Sequence, residues 1–95
     1  MARHELSDEE WDLIQPHLPP ERSGKVGHPW SPHRKTINGI LWILGTGAQW
    51  RDLPERYGPR STVNGRLLEW ERNGTWARIV QALMAQGRQM EHIDF

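Results

Sequence analysis

The stretch Arg60–Arg72 concentrates side chains suited to nucleic acid: Arg60, Ser61, Thr62, Asn64, Arg66 and Arg72. In a major groove Asn pairs bidentately with adenine and Arg with guanine, while Ser, Thr and further Arg side chains hold phosphates. Asn64 and Arg66 are therefore the candidate base readers, with Arg60, Ser61, Thr62 and Arg72 beside them on the backbone. Arg51 and Arg56, just upstream, are further candidate DNA contacts, and Arg34 and Lys35 are candidate phosphate contacts from an earlier segment. The same residue types also make an ordinary solvated helix face, so spacing alone leaves a plain helical hairpin as the alternative.

Other chemistries find less support. The chain has no cysteine, which excludes a disulfide framework, a thiolate metal site and a cysteine nucleophile. His28 and His33 stand five apart, and His4, His17 and His92 are scattered, whereas a metal site needs convergent ligands. Glu5, Asp8, Glu9, Glu10 and Asp12 gather near the N-terminus, where they suit the start of a helix better than a cation. Two-metal phosphoryl chemistry needs grouped carboxylates, and Asp94 has no companions nearby. No residue is read as catalytic, and no metal or cofactor is expected in this chain. The six Trp offer stacking platforms for single strands, but Trp11, Trp70 and Trp76 fall on apolar helical stripes and are read as core.

Ninety-five residues correspond to one small domain. Leu, Ile, Val and Phe make up only 20% of them, yet the formal charge is zero, which argues against disorder. That zero hides an asymmetry: residues 1–20 carry a net −4 and residues 21–95 a net +4. The run Gly39–Gly45 is too short to cross a membrane, and no secretory signal opens the chain, so a cytoplasmic protein is expected.

These side chains must be positioned by helices. Ser7 and Glu10 form a capping box, followed by Trp11, Ile14 and Leu18, with Pro16 kinking or ending the first helix. Residues 19–32 read as a loop. Ser31 caps a second helix with Pro32 at its first position, and Ile37, Ile40, Leu41 and Leu44 form its stripe before Gly45–Gly47. Asp52 caps a short third helix reaching Tyr57, which Gly58 and Pro59 end. Ser61 caps a fourth, with Val63, Leu67 and Trp70 inward and Thr62, Asn64, Gly65, Arg66, Glu69 and Arg72 outward. Gly65 in that helix interior costs about 1 kcal/mol relative to Ala. After Gly74, Thr75 opens a fifth helix bearing Trp76, Ile79, Val80 and Leu83. The expected fold is all-α, a small bundle of about five helices. Its third and fourth helices, joined by Gly58-Pro59-Arg60, form a helix-turn-helix-like unit. Trp11, Ile40, Leu44, Trp70, Trp76, Ile79 and Leu83 are the expected core. The domain is drawn as residues 1–86, and 87–95 as a tail or linker.

Three segments, LSDEEWDLIQPHLPP (6–20), GTGAQWRDLPERYGPRSTV (45–63) and LEWERNGTWARIVQAL (68–83), together resemble the N-terminal domain of bacterial insertion-sequence transposases of the DDE type. The resemblance covers roughly residues 6–85, and its most specific block is Gly47–Pro54 followed by Tyr57-Gly58-Pro59. It implies a helical DNA-binding domain that recognises the terminal repeats of the element. It also implies that an RNase H-like domain with three carboxylates and Mg²⁺ follows such a segment in the family. Asp94, in a segment like the one preceding that domain's first catalytic Asp, is not itself assigned the role. On this reading the chain binds double-stranded DNA, has no catalytic activity alone, and pairs with a downstream transposase frame or with a second copy of itself. Near-zero charge keeps open a protein-interaction or regulatory module, or a truncated remnant that merely folds.

Overall fold

The computed structural model describes residues 4–21 and 31–88. Among them are four α-helices and no strand: α1 Asp8–Ile14, α2 His33–Thr46, α3 Arg60–Asn73 and α4 Thr75–Ala85. Three 3₁₀ turns accompany them, at Gln15–His17, Trp50–Asp52 and Glu55–Tyr57. The all-α expectation holds, and the count of α-helices falls from five to four. His28, Trp30 and Asp94 lie outside the described residues.

The first helix forms as its sequence dictates. The Glu10 N–H donates to Ser7 Oγ at 3.1 Å and the Ser7 N–H to Glu10 Oε1 at 3.0 Å, a reciprocal cap. Asp8, Glu9 and Glu10 in the first turn complement the helix dipole, and Pro16 converts the chain to a 3₁₀ turn. The second helix departs from expectation at its start. Its N-cap is Pro32, not Ser31, and its first residue is His33. The cap is supplied at long range: the His33 N–H donates to both Glu21 carboxylate oxygens, at 3.1 and 3.2 Å. An acidic group from a distant segment does there what a local Ser does elsewhere.

The largest difference lies at Asp52–Tyr57, where the expected third α-helix does not form. Leu53 and Pro54 are both extended, and they separate the two 3₁₀ turns. The cause is Pro54, which lacks an N–H and keeps the residue before it out of the helical region. Asp52 therefore ends a 3₁₀ turn and caps no helix. Ser61 likewise sits inside the first turn of α3, whose N-cap is Pro59. Gly74, with φ +85°, closes α3 and opens α4 in a left-handed conformation that suits glycine, while Asn73 Oδ1 accepts the Thr75 N–H at 3.0 Å.

α3 packs against both α2 and α4, and α1 lies on α4. Their shared core holds Ile14, Ile37, Ile40, Leu41, Val63, Leu67, Trp70, Trp76, Ile79, Val80 and Leu83. Trp11 and Leu44, expected in it, are half-buried at its margin, with Trp50 and Leu53 beside them. Gly39 lets α2 approach Tyr57 closely; a Cβ there would stand 2.9 Å from the Tyr57 Cβ. The two ends of the described chain are tied together. Arg88 Nε and Nη2 donate to Glu10 Oε2 and Oε1 at 2.7 and 2.8 Å, and Arg88 Nη2 also reaches the Glu5 carbonyl at 3.0 Å. This contact holds the Glu10 carboxyl below its ordinary pKa, against the opposing effect of its burial.

Trp76 is 1% exposed, and its buried Nε1 has no hydrogen-bond partner among the described residues. Trp76→Ala should cost about 3–5 kcal/mol by cavity formation. Trp76→Phe should cost less, because it removes the orphaned donor while keeping an aromatic ring. Urea denaturation of the two variants checks both values, and equal losses would contradict the packing described.

Candidate nucleic-acid interface

The candidate residues divide by what their charges touch. Arg66, expected on the outward face of α3 as a guanine reader, turns inward to α2. Its Nη1 donates to the Ser31 carbonyl at 2.7 Å and to Thr36 Oγ1 at 2.9 Å, and lies 3.5 Å from His33 Nδ1. The Arg side chain is long enough to reach back from the flank of the apolar stripe to these polar groups. Thr36 is fully buried and His33 is 3% exposed.

His33 is the partner that sequence reasoning left among the scattered histidines. Its Nε2 lies 3.0 Å from the Pro19 carbonyl, an acceptor, so Nε2 carries the proton and Nδ1 presents a lone pair toward Arg66. The ring meets Trp70 edge-on, with centroids 5.3 Å apart. Burial lowers the His33 pKa, and the Arg66 charge lowers it further against the opposing pull of Glu21. A buried His at the start of a helix, with an Arg on the facing stripe, was the available signal. The pairing itself needs the tertiary structure.

Two further candidates have structural partners. Arg34 Nη2 donates to Asp8 Oδ1 at 2.8 Å and to the Leu6 carbonyl at 3.2 Å, and its guanidinium stands over the Trp11 ring. Arg56 Nη2 donates to the Tyr57 hydroxyl at 2.9 Å, which in turn donates to Glu5 Oε2 at 2.8 Å. Burial is the main reason the Tyr57 hydroxyl titrates above its ordinary value, and the Glu5 contact adds to it.

Arg78, on α4, donates to Thr75 Oγ1 at 3.3 Å. Among the described residues Lys35, Arg51, Arg60 and Arg72 are exposed and have no hydrogen bond or ion pair. They border α3. Arg60 and Arg72 stand near its two ends, and the turn carrying Arg51 packs against it. The Lys35 side chain runs over the entry to α3, with Cε 3.9 Å from where a Cβ on Gly58 would stand. Ser61 is exposed in the first turn, and Thr62 and Asn64 are half-buried at the flanks.

Residues 6–80 match the family described as "Putative transposase of IS4/5 family" (DUF4096). The chain belongs to this family. It is 39% identical, over all of its own length and 68% of the relative's, to the insertion element IS402 uncharacterized 16.2 kDa protein of Burkholderia cepacia. It is also 33% identical to the uncharacterized protein y4sN of Sinorhizobium fredii, over 82% of this chain and 62% of that protein. No solved structure matches it. The family match runs from Leu6 into α4, so it takes in α1, α2, the 3₁₀ turns and α3, including Arg66 and its partners.

In this transposase-family chain no three His, Asp or Glu side chains converge as a metal-ligand set among the described residues. No helix among the described residues is long and apolar enough to cross a membrane.

Stability should depend on His33. A lowered folded-state pKa means the folded protein binds fewer protons than the unfolded chain below the ordinary value of 6.5. Its stabilising contribution is complete above that pH and is lost as pH falls through the folded pKa. Arg66→Met should raise the His33 pKa, measured by NMR titration of the ring. It should also destabilise the fold by about 1–3 kcal/mol, because the Thr36 hydroxyl and Ser31 carbonyl lose their donor. An unchanged His33 titration in Arg66→Met would contradict the contact.

Proposed function

We propose that this chain is a DNA-binding domain of an insertion-element transposase, recognising the terminal repeats of its element through α3. The observation that carries the reading is that the unpaired described cations Lys35, Arg51, Arg60 and Arg72 border one helix. Membership of a transposase family supports it. Ser61 and Thr62 supply hydroxyls at the N-terminal end of α3, where phosphate contacts position a recognition helix. Asn64 is the base reader, and Arg66 holds the helix in place. The helix-turn-helix analogy survives only in function: α3 takes the recognition role, preceded by 3₁₀ turns in place of a first helix. The working partner is double-stranded DNA in the cytoplasm. DNA cutting belongs to a carboxylate-bearing domain outside residues 1–86, with 87–95 leading toward it.

A second reading is a regulatory module that docks a transposase or a second copy of itself. It is favoured by the zero net charge and by Leu13 and Met84, large exposed apolar side chains on the packed pair α1 and α4. Two features oppose it as the main role. Leu13 and Met84 are each the one large exposed apolar side chain on their helix among the described residues, and neither lies on α3, which the unpaired cations border.

Titration against terminal-repeat and scrambled duplexes at two salt concentrations tests the first reading. Arg60→Ala and Arg72→Ala should weaken binding to both duplexes alike, each reducing the salt slope by about one. Asn64→Ala should cost about 1–3 kcal/mol on the terminal repeat only. The same protein with Mg²⁺ should leave the duplexes uncut. Equal, undetectable binding to both duplexes at low salt would leave the docking module as the better account.

A further inference from the structure

The outward face of α3 has a composition that packing does not explain. Ser61, Gly65, Leu68 and Arg72 fall at i, i+4, i+7 and i+11, directly opposite the buried Val63, Leu67 and Trp70. Gly65 is exposed, and a Cβ there would meet nothing within 4 Å. Nothing inside the fold requires glycine, although it weakens the helix interior. One turn on, Leu68 is 50% exposed, the only large exposed apolar side chain on α3 among the described residues. A bare backbone beside a protruding apolar group suits a partner that comes close at one point and offers a small apolar surface beside it.

Charge and scale select the partner. Arg60 and Arg72 are unpaired among the described residues and lie about 18 Å apart along the helix, at about 1.5 Å per residue. A major groove is about 12 Å wide, so two extended Arg side chains on a helix lying in it reach phosphates on both walls. A protein partner fits less well. A stable interface covers about 800 Å² on each side around an apolar centre, whereas Leu68 is flanked by Glu69, Arg72 and Gly65.

We propose that Leu68 is a specificity-determining residue that packs against the 5-methyl group of a thymine in the major groove. Gly65 provides the room that lets the base-pair edge approach. This rests on the reading of α3 as the DNA-recognition helix. The thymine methyl is the only apolar group displayed in that groove, and it distinguishes thymine from cytosine and from both purines. Asn64, at the flank of the same turn, is placed to read an adjacent base.

The test uses the full chain and duplexes enriched by it from a random-sequence pool. Each enriched duplex is resynthesised with deoxyuridine replacing one thymidine at a time, which removes only the methyl group. At one position the wild type should lose about fourfold in affinity, the value of one buried methyl-sized group. Leu68→Ala should bind the thymidine and deoxyuridine forms equally and keep the wild-type thermal midpoint. Gly65→Leu should keep or raise the midpoint, since Leu is a good helix former in open space, yet weaken binding to every enriched duplex. Wild-type binding that ignores deoxyuridine at every position would overturn the methyl contact and leave the DNA reading intact. Failure to enrich any duplex over the starting pool would overturn both. Loss of self-association in Leu68→Ala, with DNA binding unchanged, would overturn the proposal in favour of a second copy as the occupant.

Discussion

The placement of α3 depends on a single guanidinium. Arg66 reaches from α3 to the start of α2 and donates to the half-buried Ser31 carbonyl and to the hydroxyl of the fully buried Thr36. A half-buried charge is stabilised when its hydrogen bonds are met, and together with burial the Arg66 charge disfavours a proton on the facing His33 ring. His33 is in turn enclosed by Glu21, the Pro19 carbonyl and Trp70. The contact therefore orders the 19–21 segment, the first turn of α2 and the middle of α3 together. Rotating α3 to free Arg66 would break this set and expose Val63, Leu67 and Trp70. Polar and apolar constraints thus agree on one orientation, and the Ser61–Arg72 stripe faces out because of it.

Net charge gives a poor picture of what this surface offers. Twelve cations and twelve acids cancel over the whole chain. Yet Arg34, Arg56 and Arg88 are paired with Asp8, Glu5 and Glu10 respectively. Much of the acidic N-terminal segment is thereby neutralised internally while it is fastened to α2, the third 3₁₀ turn and Arg88 beyond α4. Among the described residues Lys35, Arg51, Arg60 and Arg72 have no hydrogen bond or ion pair and border α3, while Arg78 on α4 donates to Thr75. Glu69 on α3 and Asp52 and Glu55 on the turns packed against it are exposed as well, so a polyanion meets a local distribution of both signs and not the total of the chain.

The Arg88–Glu10 pair also joins the two ends of the described chain. The side chains are 18% and 13% exposed, and the bond is bidentate, so Arg88 is held at a fixed point beside the start of α1. The packed body continues past Gly87, the residue at which the helical periodicity ends.

The sequence by itself determined the elements whose causes are local. The capping box at Ser7 and Glu10, the stop at Gly74, and the stripes Ile37–Leu44, Val63–Trp70 and Trp76–Leu83 each follow from spacing within one or two turns. The family was legible for a similar reason, because the Gly47–Tyr57 block is a contiguous string. Tertiary structure decided the rest. Asp52–Tyr57 has capping and apolar residues in helical positions, but the steric effect of Pro54 outweighs them, and packing of the extended segment against α2 and α3 holds it. The cap of α2 came from Glu21, twelve residues away, beyond the reach of any local pattern. Arg66 and Arg72 are both polar residues outside the apolar stripe, the first at its flank and the second opposite it. Only the position of α2, which puts Thr36 and Ser31 within reach of the first and leaves the second in water, makes one a fastening and the other a free charge.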